Sequence, residues 1–239
     1  MAQRFSGKMV LVSGGTGGLG RAVTLGFLAE GGQVAVPYFD EKEFDDLKAA
    51  AHEHVARLEG QSVDVTDETA IRTFVDGVVA KHGRLDVLVN TVGGYAGGLK
   101  LWEMETKVFD RMLQLNLRSG FALSRAVVPA MLKQGQGAIV NVAAKAAVDH
   151  AAGASAYASS KAAAVALMDS LAADLKGTGV RVNSILPSII DTKVNREAMP
   201  DADFSTWPKP EEIARVILFL CSDDATVVHG AALPVYGNR

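Results

Sequence analysis

The chain has 239 residues, 49% of them hydrophobic and 21% charged, with 24 Lys and Arg against 27 Asp and Glu for a net charge of −3. That length suits one α/β domain, the composition excludes disorder, and a slightly acidic balance without dense Lys/Arg runs argues against a nucleic-acid or anionic-membrane surface. A single cysteine, Cys221, rules out an internal disulfide framework and a thiolate-rich zinc site; the five histidines show no ligand spacing beyond His52 and His54 in a charged stretch, so no metal is expected.

Short β-branched runs alternate with helical windows. Met9–Ser13, Gln33–Tyr38, Gln61–Val65, Leu85–Thr91, Ala138–Val142, Val180–Leu186 and Ala231–Val235 read as strands, the inner ones nearly continuous apolar sequence as befits strands covered on both faces. Helices are predicted at about Gly18–Glu30, Glu41–Leu58, Asp67–His82, Val108–Gln134, Ala156–Lys176 and Pro210–Cys221, with Thr66 as a cap of the third and Pro210 opening the last. Such alternation implies a single doubly wound Rossmann domain over residues 1–239, a parallel sheet of about seven strands with helices on both faces. No stretch reaches the roughly 18 apolar residues that span a bilayer, and Met9–Val12 is too short for a signal peptide, so the expected address is the cytoplasm.

Ser13-Gly14-Gly15-Thr16-Gly17-Gly18-Leu19-Gly20 lies between the first strand and the first helix. Glycines there let the backbone turn tightly and approach a pyrophosphate seated on the positive helix end. A mere tight turn is the competing reading, weakened by the strand before it and the helix after it.

The spacing Gly14-x-x-x-Gly18-x-Gly20, with Tyr157-Ala158-Ser159-Ser160-Lys161 further on, resembles the short-chain dehydrogenase/reductase family nearly end to end. The resemblance implies a nicotinamide cofactor held by Gly14, Thr16, Gly18, Leu19, Gly20, Tyr38, Asp64, Val65, Asn90, Gly93, Tyr157, Lys161, Pro187, Ile190 and Thr192. It also implies catalysis by Tyr157 and Lys161, with Asn116 organising a water-borne proton path. Tyrosine ordinarily titrates near pH 10, and an ammonium one helical turn away stabilises its phenolate. The family's acidic position at the end of the second strand falls on Tyr38; Asp40 and Glu41 follow, and no Arg or Lys except Lys42 stands nearby to take a 2′-phosphate, which tips the choice between NAD(H) and NADP(H) toward NAD.

The family's serine, which hydrogen-bonds the substrate carbonyl, falls on Ala144. Either Lys145, Ser188 or a water substitutes, or the substrate needs no such donor, or the site is inactive. Ala144-Lys145-Ala146-Ala147-Val148-Asp149, the loop Gly93–Gly98 and the run Asn195–Trp207 are similar to the quinonoid dihydropteridine reductase branch, which implies a flat, conjugated imine as substrate. Ala144, Lys145, Tyr95 and Asn195 are then substrate candidates: Tyr95 stacks on the ring or simply packs its loop, and residues 189–209 form a lid or a packed loop. The alternatives are a carbonyl reductase of the 3-oxoacyl-carrier-protein kind and a cofactor-binding sensor with little turnover. The long helices around Val108–Gln134 and Ala156–Lys176 bury an apolar face against the sheet or a second subunit, and the resemblance implies a homodimer or homotetramer.

Overall fold

The computed structural model describes residues 3–237 and contains one parallel sheet. In chain order the elements are β1 (Met9–Ser13), α1 (Gly18–Ala29), β2 (Gln33–Tyr38), α2 (Glu41–Ala50), β3 (Leu58–Ser62), α3 (Glu68–His82), β4 (Val87–Asn90), α4 (Thr106–Leu113), α5 (Ser119–Gln134), β5 (Gly137–Val142), α6 (Ser155–Asp174), β6 (Val180–Pro187), α7 (Lys193–Ala198), α8 (Pro210–Cys221) and β7 (Ala232–Val235). The strands lie in the order β3-β2-β1-β4-β5-β6-β7, so the winding reverses between β1 and β4 and opens a crevice at their carboxyl ends.

Alternate strand residues feed two cores. Val10, Val12, Val34, Val36, Val87, Val89 and Val140 pack against α1 and α8 through Val23, Phe27, Ile213 and Ile217. Met9, Leu11, Leu88, Ile139 and Val182 pack on the other face with Ile71, Phe74, Leu123, Val127, Met131 and Met168 of α3, α5 and α6. Burial on both faces explains why the inner strands are apolar runs. Among the described residues no helix is long and apolar enough to cross a membrane.

Four boundaries differ from the sequence expectation. β3 is Leu58–Ser62, not Gln61–Val65: as an edge strand paired only with β2 it needs no apolar alternation, while Val63, just beyond it, is buried under α3. The helix expected over Glu41–Leu58 stops at Ala50, because His52 takes a left-handed φ of 46° and a tight turn of helix over His52–Arg57 follows. Thr66 does not cap α3; Asp67 does, its Oδ1 accepting from the Thr69 and Ala70 amides at 2.8 and 3.1 Å. The long helix Val108–Gln134 is interrupted by a widened turn, Gln114–Arg118, carrying Asn116. Such one-turn insertions re-aim a side chain, here toward the Gly93–Gly94 loop.

Candidate active site

The crevice between β1 and β4 is framed by the glycine loop. Gly14 has φ +73°, and a Cβ there would sit 2.7 Å from Thr91 Oγ1, whose hydroxyl donates to the Ser13 carbonyl at 2.8 Å. A Cβ on Gly20 would run into the Gly14 carbonyl, and one on Gly18 would come within 2.8 Å of Thr192 Cγ2. The loop is thus folded more tightly than side chains allow. α1 begins at Gly18, and Gly17 before it supplies no side-chain cap, which leaves first-turn N–H groups for an anion. Beside it runs a cleft of about 940 Å³ whose walls include Gly14, Thr16, Tyr38, Asp64, Val65 and Val92. Uncapped helix, tight glycine-rich loop and adjoining cleft together fit a dinucleotide.

Leu19 is buried on α1, and Asn90 is buried at the end of β4, where its Nδ2 donates to Asn141 Oδ1 at 2.9 Å and its Oδ1 accepts from the Val92 amide at 3.2 Å. Asn90 thereby shapes the turn leading to Gly93. Pro187 closes β6 in register with Val235; Ile190 and Thr192 follow it, Thr192 capping α7 through the Asn195 amide.

Tyr157 and Lys161 lie one turn apart on α6. Lys161 is buried, its Nζ donating to the Val142 carbonyl at 3.0 Å, and desolvation brings its pKa down to about 8. Against the lowering expected from the Lys161 ammonium, burial pushes Tyr157 up to about 12, with the neighbouring Tyr95 adding to the rise. Tyr95 meets Tyr157 edge to face, ring centroids 5.0 Å apart. The Asn116 amide holds the Gly93–Gly94 turn: Oδ1 accepts from the Gly94 amide at 2.9 Å, and Nδ2 donates to the Gly94 carbonyl at 3.0 Å and to Ser160 Oγ at 2.9 Å. Gly93 lies close against both Asn116 and Lys161, since a Cβ there would come within 2.9 Å of Asn116 Oδ1 and 3.0 Å of Lys161 Nζ and push them aside. Tyr157, Lys161, Asn116, Gly93 and Tyr95 are therefore one cluster.

Ala144 is buried just past β5 in extended backbone (φ −165°, ψ 160°). The donors expected to replace a serine there have partners of their own. Lys145 pairs with Asp149 at 3.0 Å and lies over the Tyr236 ring at 5.4 Å; Ser188 Oγ donates to the Tyr236 carbonyl at 2.8 Å. Asn195, expected near substrate, instead donates its Nδ2 to the Ile190 carbonyl at 2.8 Å. Residues 189–209 are cross-braced: Arg196 forks onto Asp191 at 2.5 and 2.8 Å and lies 4.8 Å from the Phe204 ring centroid, and Phe204 packs on the buried Trp207.

Two residues of this region went unnoticed in the sequence. Ser160, one position before Lys161, links Asn116 to α6, and Glu43 lines the cleft and accepts from Thr16 Oγ1 at 2.8 Å. Glu43 stands in a run of charges at the start of α2, where nothing distinguishes it from a solvated acid.

A family model described as short chain dehydrogenase matches residues 8–203. Over 243 residues, 98% of each chain, the protein is 34% identical to the 3-oxoacyl-acyl-carrier-protein reductase FabG of Thermotoga maritima. Its backbone matches the NADP-bound structure of ElxO with a TM-score of 0.91 at 26% identity, covering 96% of this chain and 97% of that one. The corresponding values for NAD+-bound xylitol dehydrogenase are 0.90 and 28%, covering 98% and 99%. Matched over most of its length in sequence and in fold, the chain belongs to the short-chain dehydrogenase/reductase family and is an NAD(P)-dependent oxidoreductase.

Proposed function

We propose that the protein reduces a flat, conjugated imine of the quinonoid dihydropterin kind, using NADH. The observation that carries this reading is the buried Ala144 methyl at the position of a carbonyl-binding donor, with Lys145 and Ser188 bonded elsewhere. Charge arriving on a single carbonyl oxygen needs a second preorganised donor, worth about 3 kcal/mol. Charge spread over several ring nitrogens needs it less. Tyr95 supplies an aromatic wall of matching shape.

Bound at the cleft, the reduced nicotinamide cofactor supplies the hydride. The Gly14–Gly20 loop, Asp64, Val65, Asn90, Gly93, Pro187, Ile190 and Thr192 hold it, together with Tyr157 and Lys161. Burial keeps the Tyr157 hydroxyl protonated, hence loaded as the donor, while the Lys161 ammonium is desolvated and lacks a carboxylate partner among the described residues. Loss of the tyrosine proton to substrate leaves a phenolate one turn from that ammonium, and each charge relieves the other's burial. Asn116 holds the loop and α6 in register and orders the path by which Tyr157 is reprotonated. Residues 189–209 close over the reacting groups and exclude water.

A second reading, reduction of a 3-oxoacyl thioester, is favoured by the end-to-end similarity to the Thermotoga maritima enzyme. Oxidation of NADH and NADPH is to be followed with freshly generated quinonoid dihydropterin, less the enzyme-free rate, and separately with acetoacetyl thioester. A saturable pterin rate that falls at least about 100-fold in Tyr157→Phe supports the first reading. Turnover of the thioester alone replaces it with the second, and cofactor binding without turnover of either overturns both substrate readings and leaves an oxidoreductase for another substrate.

A further inference from the structure

The end of β2 offers no carboxylate to the cleft. Tyr38 stands there, its ring stacked flat on Phe44 with centroids 4.5 Å apart and planes within 9°. Phe44 is pinned in turn against Gly60 of β3, where any Cβ would collide with the ring. The Tyr38 side chain is thus part of a packed edge. Asp40, two residues on, is engaged as the cap of α2, its Oδ1 accepting from the Lys42 and Glu43 amides at 2.8 and 3.3 Å.

Glu43 is placed differently. It leaves the first turn of α2, lines the cleft, and its Oε2 accepts from Thr16 Oγ1 of the glycine loop at 2.8 Å. The bond ties the glycine loop to α2 across 27 residues of chain. A carboxylate has about four lone-pair sites, and Thr16 uses one. The others suit a vicinal diol, which brings donors, and repel a phosphate dianion, which brings acceptors and like charge. The lining residues contain the acids Asp40, Glu43, Asp64 and Asp110 and one cation, Arg111. Arg111 stands on α4, three residues before Gln114, whose Nε2 donates to the Thr66 carbonyl of the β3–α3 connection.

We propose that Glu43, steadied by Thr16, is the residue that receives the adenosine ribose diol and rejects a 2′-phosphate, so that the acid selecting NAD(H) comes from α2 instead of from the end of β2. The proposal rests on the cleft being the nucleotide site. Glu43 binds the cofactor directly, and Thr16 is a positioning residue that acts through it.

The test is equilibrium binding of NADH and NADPH, read by nicotinamide fluorescence, with circular dichroism to establish folding. Wild-type protein is expected to bind NADH at least about tenfold more tightly than NADPH, the scale of one charge-assisted hydrogen bond. Because both nucleotides carry the same pyrophosphate, their ratio isolates the 2′ group, and the ratio should shrink as salt screens the repulsion. In Glu43→Gln, NADH should bind about tenfold more weakly, NADPH more tightly, and the salt dependence of the ratio should weaken. Thr16→Val should lower the preference severalfold and Thr16→Ser should restore it. A folded Glu43→Gln with an unchanged ratio, or wild-type protein that prefers NADPH, overturns the proposal and leaves the nucleotide cleft standing. Failure of folded wild-type protein to bind either nucleotide overturns the cleft assignment and this proposal with it.

Discussion

Introducing the missing hydroxyl, Ala144→Ser, separates the two substrate readings by size of effect. The position tolerates it: the backbone is extended, and the surrounding bonds, from the Ala143 amide to the Ile185 carbonyl and from the Ala147 amide to the Ala144 carbonyl, involve main chain alone at 2.9 Å each. With Ala144 only 7% exposed, an unpaired hydroxyl costs the fold about 1–3 kcal/mol, visible as a lowered Tm unless it finds an acceptor. Toward a carbonyl substrate, one oxyanion donor is worth about 10²–10³ in kcat. Toward a pterin, where charge is shared among ring nitrogens, the same hydroxyl should change kcat by less than about tenfold, since it meets a fraction of that charge. The assay is kcat for both substrates in wild type and variant, with Tm recorded alongside. An equal hundredfold rise on the pterin would refute the argument that a delocalised acceptor dispenses with the donor.

Lys161 is costly to bury, and its removal should show that. Its pKa falls from 10.5 to about 8 through desolvation, so between those values the unfolded chain binds a proton that the folded chain does not. Stability therefore rises with pH across that window, and below it the charged lysine costs on the order of 3 kcal/mol. Lys161→Met should abolish turnover yet gain about 1–2 kcal/mol at neutral pH, net of the lost bond to Val142, and should flatten the alkaline rise in Tm; a variant less stable at pH 7 contradicts this. Gly20→Ala should stay folded, since alanine favours the helix by about 1 kcal/mol, but the collision with the Gly14 carbonyl should weaken NADH binding at least about tenfold in a fluorescence titration; unchanged affinity would mean that the loop does not seat the pyrophosphate. Sedimentation at micromolar concentration should show more than a monomer, because Phe109 and Phe121 are 39% and 41% exposed on α4 and α5; a lone monomer removes that expectation.

What could be read from the sequence is what the chain keeps local. Tyr157 and Lys161 share a face because four positions make about one helical turn, and Gly20 crowds Gly14 because a strand and a helix leave them a single tight turn. The inner strands were legible because burial on both faces leaves an apolar run, and β3 was not, because an edge strand beside an exposed face has no such demand. Asn116 needed a widened turn to reach Gly94, and no propensity announces one. Glu43 lies further from legibility still. Its role depends on Thr16, 27 residues earlier, and on Tyr38 and Asp40 being occupied by a ring stack and a helix cap. Each of those engagements is ordinary by itself. Together they leave Glu43 of α2, and not a residue at the strand end, as the carboxylate bonded to the glycine loop. The chemistry at Tyr157 follows from spacing, whereas the proposed choice of nucleotide follows from which carboxylate the tertiary fold draws to the glycine loop.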